Sequence, residues 1–223
     1  MTWAEYARAW SALHGGFDPT TATPLVRGWI RLAYRGGSLL ARLGFTATAV
    51  TLAGLVLCLA VPFVAAAGPQ GLIVAAFVVL AAGFADSFDG AVAVVTGRTS
   101  RAGFVIDSVA DRVGEAAWLS AFWVAGVPGW LAVAGGAVSW LHEYLRARAA
   151  SAGMPEIGAV TLGERPTRVS VAISGLLVGG VAGLVHPGWD RAVLIVAAVA
   201  WLALSLVGLV QLVVVVRRAL SGG

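Results

Sequence analysis

Long charge-free apolar runs alternate along this chain with short breaks that hold either arginine or Gly and Pro. Residues 46–67 carry no charge, and neither do 68–85, a run that ends on Asp86. Residues 103–126 are apolar apart from Asp107, Asp111, Arg112 and Glu115; 116–141 are again charge-free but are broken at Pro128-Gly129. Residues 169–185 and 192–216 complete the series. A membrane-spanning helix needs about 20 mostly apolar residues, so the pattern predicts six spans, near 46–67, 69–95, 103–126, 129–150, 166–185 and 191–216. Before them, Trp3, Tyr6, Ala7, Trp10 and Leu13 recur at helical spacing, with Glu5 and Arg8 elsewhere on the wheel. That predicts an amphipathic helix in the membrane interface, ended by Gly15-Gly16 and Pro19. A second amphipathic stretch starts near Pro24 and aligns Arg27, Arg31 and Arg35 on one stripe, which reads as an anchor to anionic lipid. The expectation is an all-α, polytopic integral membrane protein: an N-terminal amphipathic interfacial segment over 1–45 and a six-helix membrane domain over 46–218.

Composition supports this. Of 223 residues 59% are apolar and 12% charged, against about half and a quarter in soluble domains. A water-soluble globule and a disordered chain are both excluded. Cys58 is the sole cysteine, which excludes a disulfide framework. Glu5 and Arg8 interrupt any hydrophobic core of a signal peptide, so none is expected.

The net charge of +4 comes from arginine alone, since the chain has no lysine. Arg8, Arg27, Arg31, Arg35, Arg42, Arg98, Arg101, Arg146, Arg148, Arg165, Arg168, Arg217 and Arg218 fall on one side of the predicted spans, and Arg191 on the other. The positive-inside rule therefore places both termini in the cytoplasm of a cell-membrane protein. Trp130 and Trp189 fit an outer aromatic belt. The anionic partner of these arginines is lipid headgroup or phosphorylated substrate, with no nucleic acid expected.

Four aspartates lie within 26 residues: Asp86, Asp89, Asp107 and Asp111. Each costs on the order of 2.5–3.5 kcal/mol in a span. Asp86 and Asp89 are three apart and Asp107 and Asp111 four apart, so each pair shares a helix face. The connecting loop is short, and the two faces can meet. Four like charges repel unless cations intervene. Oxygen-only donors, with no His or Cys among them, favour Mg²⁺, Mn²⁺ or Ca²⁺ over zinc. Two metals about 4 Å apart would clamp a phosphoryl group and its leaving oxygen. Gly83, Gly90, Ala93, Gly97 and Gly103 keep the neighbourhood small.

Asp86-Ser-Phe-Asp89-Gly90-Ala-Val-Ala93-Val94, followed by Gly103, Asp107 and Asp111, resembles the signature of the CDP-alcohol phosphatidyltransferases, D-x2-D-G-x2-A-R-x8-G-x3-D-x3-D. Seven of eight fixed positions match at the correct spacing. The resemblance implies transfer of the phosphoalcohol part of a CDP-alcohol to an acceptor hydroxyl with release of CMP. It implies Asp86, Asp89 and Asp107 as ligands of two divalent metals, Mg²⁺ or Mn²⁺. Asp111 becomes the general base, also touching the second metal. It implies Gly90, Ala93 and Gly103 lining the cytidine pocket, Thr51 near the diphosphate, and a homodimer. The family Arg after Ala93 is Val94 here. Arg98, one turn later, or Arg101 in the same loop would supply the cation, and Arg98 is preferred.

Arg146-Ala-Arg148 and Glu164-Arg165-Pro166-Thr-Arg168 are similar to segments of the actinobacterial phosphatidylinositol-phosphate synthase branch. Guanidinium binds phosphate bidentately. Arg146, Arg148, Arg165 and Arg168 are therefore candidate ligands of the acceptor's phosphate. The expected substrates are CDP-diacylglycerol and a phosphorylated polyol such as inositol phosphate or glycerol phosphate. Two rival readings are an ion-coupled transporter, which predicts mid-membrane acids and inverted repeats, and a non-catalytic paralogue, for which Val94 speaks. Glu143 beside His142 finds no role in the sequence.

Overall fold

The computed structural model describes residues 1–13, 15–154 and 161–220, and every regular element among them is an α-helix. These are α1 (Trp3–Leu13), α2 (Pro24–Arg42), α3 (Ala47–Ala65), α4 (Pro69–Thr96), α5 (Arg101–Val124), α6 (Gly129–Ser151), α7 (Arg165–Val185) and α8 (Trp189–Leu220). The six expected spans correspond to α3–α8, with ends displaced by a few residues. Four of them, α3, α4, α7 and α8, are long and apolar enough to cross a membrane. α5 and α6 are of similar length, 24 and 23 residues, but carry several ionisable residues along their length.

Local chemistry sets the helix ends. Thr2 and Glu5 form a capping box at α1: Thr2 N–H donates to Glu5 Oε2 (2.7 Å) and Glu5 N–H to Thr2 Oγ1 (3.3 Å). α2 begins with Pro24, whose missing N–H costs nothing in a first turn. α4 stops where Gly97 turns left-handed (φ 64°). There Gly97 N–H donates to Val94 O (3.1 Å) and Arg98 N–H to Ala93 O (3.0 Å), a Schellman motif. α5 restarts on Ser100, whose Oγ accepts from Gly103 N–H at 3.0 Å.

The chain forms two compact units, and α3, α4 and α5 each divide between them. One comprises Met1–Val56 and Ala81–Asp111, the other Leu57–Leu80 and Arg112–Gly223. In the first, Tyr6, Ile30, Ala33, Ala91 and Val94 make a buried cluster, flanked by Trp3, Trp10, Tyr34 and Phe88. Part of the α1 stripe expected to face lipid thus packs on protein: Tyr6 is 1% exposed. α2 lies close on α4 because it presents Gly36 and Gly37. A Cβ on Gly37 would come 2.5 Å from Ala91 Cβ, and one on Gly36 2.6 Å from the Phe88 ring.

In the second unit α8 packs along α6 and α7. Small residues permit the approach, as at Gly175 against Ala197. Trp201 Nε1–H donates to Ser139 Oγ (3.0 Å), which lies 3.2 Å from Ser205 Oγ, pinning α6 to α8 with buried hydroxyls.

Candidate functional site

The carboxylate cluster lies wholly in the first unit. The capped turn between α4 and α5 runs only from Gly97 to Ser100, so the acidic faces of both helices are brought together. Asp86, Asp107 and Asp111 each place a carboxylate oxygen within 4.8 Å of the others, all three half-buried. An octahedral cation with bonds of about 2.0–2.1 Å sets opposing oxygens about 4.2 Å apart. Only one pair of a trio can be opposed, and adjacent oxygens stand about 2.9 Å apart, so oxygens spread over as much as 4.8 Å would draw inward to share one hard divalent cation.

Asp89, one turn from Asp86 on α4, is engaged by another helix. It is 5% exposed and accepts a 2.6 Å hydrogen bond from Thr51 Oγ1. Thr51, on the second turn of α3, also lies 3.1 Å from Ala47 O, which fixes its hydroxyl. The two residues are 38 apart in sequence, and α3 is the element that brings them together.

The expected nucleotide-binding residues occupy the same unit. Gly90 is exposed, and a Cβ there would meet nothing within 4 Å, so the backbone after Asp89 is open to a ligand. Ala93 is half-buried on the same side of α4. Gly103 packs on its own cap; a Cβ would lie 3.0 Å from Ser100 Oγ. Val94 is 7% exposed inside the Tyr6 cluster, whereas Arg98 is exposed just past the end of α4.

The basic cluster lies in the second unit and is an ion-pair network. Arg168 is 2% exposed. Its Nε donates to Glu115 Oε1 (2.9 Å), Nη2 to Glu143 Oε1 (2.9 Å) and Nη1 to Gly163 O (2.6 Å). Arg112 closes the ring, 3.2 Å from Glu143 and 3.3 Å from Glu115. Arg146 is paired with Glu164. Arg165, the first residue of α7, places its guanidinium 6.0 Å from the Trp118 ring centroid. Arg148 is exposed near the end of α6.

Sequence reasoning missed Glu115, Glu143, Arg112, Thr161 and Glu164 as members of this network. The available signal was that ionisable groups in a membrane must pair. With Arg112 and Glu115 in one predicted span and Glu143 in the next, pairing among them was the consistent solution. The network also accounts for His142 and Glu143. His142 is fully buried with Nε2 3.0 Å from Thr161 Oγ1, and Glu143 accepts from both arginines.

Comparison with known proteins places this arrangement. A family model described as CDP-alcohol phosphatidyltransferase matches residues 45–209. An archaetidylinositol phosphate synthase of Methanothermobacter thermautotrophicus is 32% identical over 166 residues, covering 72% of this chain and 80% of the relative. A phosphatidylinositol phosphate synthase of Streptomyces avermitilis is 35% identical over 148 residues, 60% of this chain and 57% of the relative. Among solved structures, the Mycobacterium tuberculosis phosphatidylinositol phosphate synthase with CDP-DAG bound superposes with a TM-score of 0.66 at 25% identity, covering 84% of this chain and 94% of that one. The same protein in complex with manganese and citrate gives 0.65 at 26% identity, covering 82% and 88%.

Proposed function

Since this chain belongs to the CDP-alcohol phosphatidyltransferase family, we propose that it moves the phosphatidyl group of CDP-diacylglycerol onto a hydroxyl of a phosphorylated polyol, such as inositol phosphate or glycerol phosphate. The acceptor oxygen forms a bond to the phosphatidyl phosphorus. The bond from that phosphorus to the CMP oxygen breaks, and CMP leaves. Asp111 takes the acceptor's proton, because a hydroxyl is a poor nucleophile at neutral pH without a nearby base.

Asp86, Asp89, Asp107 and Asp111 are the residues that would hold two divalent ions, Mg²⁺ or Mn²⁺. When bound, these ions neutralise charge on the diphosphate and on departing CMP. Thr51 keeps the Asp89 carboxylate oriented. Gly90, Ala93 and Gly103 leave room for the cytidine nucleotide, and Arg98 brings a cation to it in place of the family arginine. The basic cluster of Arg146, Arg148, Arg165 and Arg168 attracts the acceptor's phosphate; Arg146 and Arg168 are held by carboxylates within it and act at one remove from the ligand. The work is done by six spans, α3 to α8, with α1 and α2 at the cytoplasmic interface in contact with lipid. Both termini and the site face the cytoplasm, and the protein is a homodimer.

One observation carries this reading: three carboxylates, at spacings that match the family signature, converge within 4.8 Å. The test is CMP release by the purified protein from CDP-diacylglycerol, screened over polyol phosphates, with the lipid product identified by mass. Release should require Mg²⁺ or Mn²⁺ and stop on chelation. Asp111→Asn should lower it by about 10²–10⁴-fold, the usual contribution of a general base. An intact protein that releases no CMP with any acceptor overturns the proposal.

A further inference from the structure

The four residues leading into α7 are each held by a different contact. Thr161 Oγ1 lies 3.0 Å from buried His142 Nε2, and the Thr161 N–H and hydroxyl reach Glu164 Oε1 at 3.1 and 3.0 Å. Leu162 N–H donates to Gln211 Oε1 at 2.9 Å. Gly163 offers its carbonyl to Arg168, and its backbone lies so close to Gly208 that a Cβ on Gly208 would overlap it. Glu164 receives Arg146.

Ionised Glu164 can only accept. The Thr161 hydroxyl therefore donates to it and must in turn accept from His142 Nε2–H. One carboxylate thus orders a chain running from α6 through Thr161 to the start of α7. Two of the four arginines assigned to the acceptor's phosphate are consumed in this work: Arg146 by Glu164, and Arg168 by Glu115, Glu143 and Gly163. A carboxylate inside a phosphate-attracting cluster repels the ligand, so its presence requires a compensating gain.

We infer that Glu164 is a positioning residue, which locks 161–164 into a rigid strap and so sets Arg165, the next residue, for the acceptor's phosphate, with Arg146 serving the strap rather than the ligand. This rests on the transferase reading above. Prepaid order is what raises affinity here: a guanidinium fixed before binding loses less entropy on binding. Pro166 restricts the same turn.

The full chain in lipid nanodiscs is compared as wild type, Glu164→Gln, Arg146→Gln and the double variant. Binding of inositol phosphate and of glycerol 3-phosphate is measured by calorimetry, KM for acceptor and for CDP-diacylglycerol by CMP release, and Tm alongside. Glu164→Gln should weaken acceptor binding about 10- to 100-fold, the loss expected for a charge-assisted hydrogen bond, with KM for CDP-diacylglycerol unchanged. Arg146→Gln should match it, and the double variant should be no worse than either single one, because both remove the same contact.

Tighter acceptor binding in Glu164→Gln overturns the inference, as do additive losses or a fall in Tm with both KM values moving together. So does a wild type that binds neither polyol phosphate. If Glu164→Gln does not fold, Glu164→Asp, which keeps the charge and withdraws it from Arg146, is read for the same split. Calorimetry needs no turnover. A wild type that binds acceptor but releases no CMP therefore refutes the transferase reading alone, while the binding comparison still decides the strap.

Discussion

At position 94 the chain has valine where the family pattern has arginine, and its surroundings explain the exchange. Val94 packs with Tyr6, Ile30, Ala33 and Ala91, so an arginine there would enter an apolar cluster. A buried charge without a partner costs several kcal/mol. Val94→Arg should therefore lower Tm, by the equivalent of about 3 kcal/mol or more, and should not raise CMP release. A stable and more active variant would show that the position faces the nucleotide. The Asp spacings were readable in sequence because helical periodicity converts offsets of three and four into a shared face. The hydrogen bond that holds Asp89 was not, because Thr51 reaches it from another helix.

The helix α1 shows how far periodicity reaches. Its apolar stripe was evident from Trp3, Tyr6 and Trp10, and so was its end near Gly15. The stripe did not reveal what it covers, because lipid and protein present the same apolar chemistry to a helix face. In the structure Tyr6 sits 5.0 Å from Tyr34 by ring centroids, and Tyr34 donates its hydroxyl to Met1 O at 2.7 Å. Burial pushes the Tyr6 phenol up to about 12 from its ordinary 10. Between those values the unfolded state releases the proton and the docked state keeps it. Stability from this contact is complete below pH 10 and is lost as pH rises toward 12. Tryptophan fluorescence of the first unit should report α1 leaving over that window. Tyr6→Phe should remove the dependence, and an unchanged titration in that variant would assign it to another group.

For the whole molecule, the arginine distribution predicts an orientation that accessibility labelling can check. In a Cys58→Ser background, Thr99→Cys and Arg218→Cys should react with a membrane-impermeant thiol reagent only from the cytoplasmic side. Gln70→Cys and Pro187→Cys should react only from outside; the reverse pattern would overturn the assignment. The sequence by itself determined the helical class, the extents of the apolar helices, the family and the acidic centre. The first two depend on runs within single helices, for which backbone hydrogen bonding in an apolar medium leaves no other structure, and the last two on offsets in α4 and α5, joined by a turn too short to part them. Only the tertiary structure decided which charges are spent on one another. Arg168 with Glu115 and Glu143, Arg146 with Glu164, and Thr51 with Asp89 are pairs between different segments of the chain. Burial removes the water that would otherwise satisfy each group, so the partner is whichever side chain packing delivers.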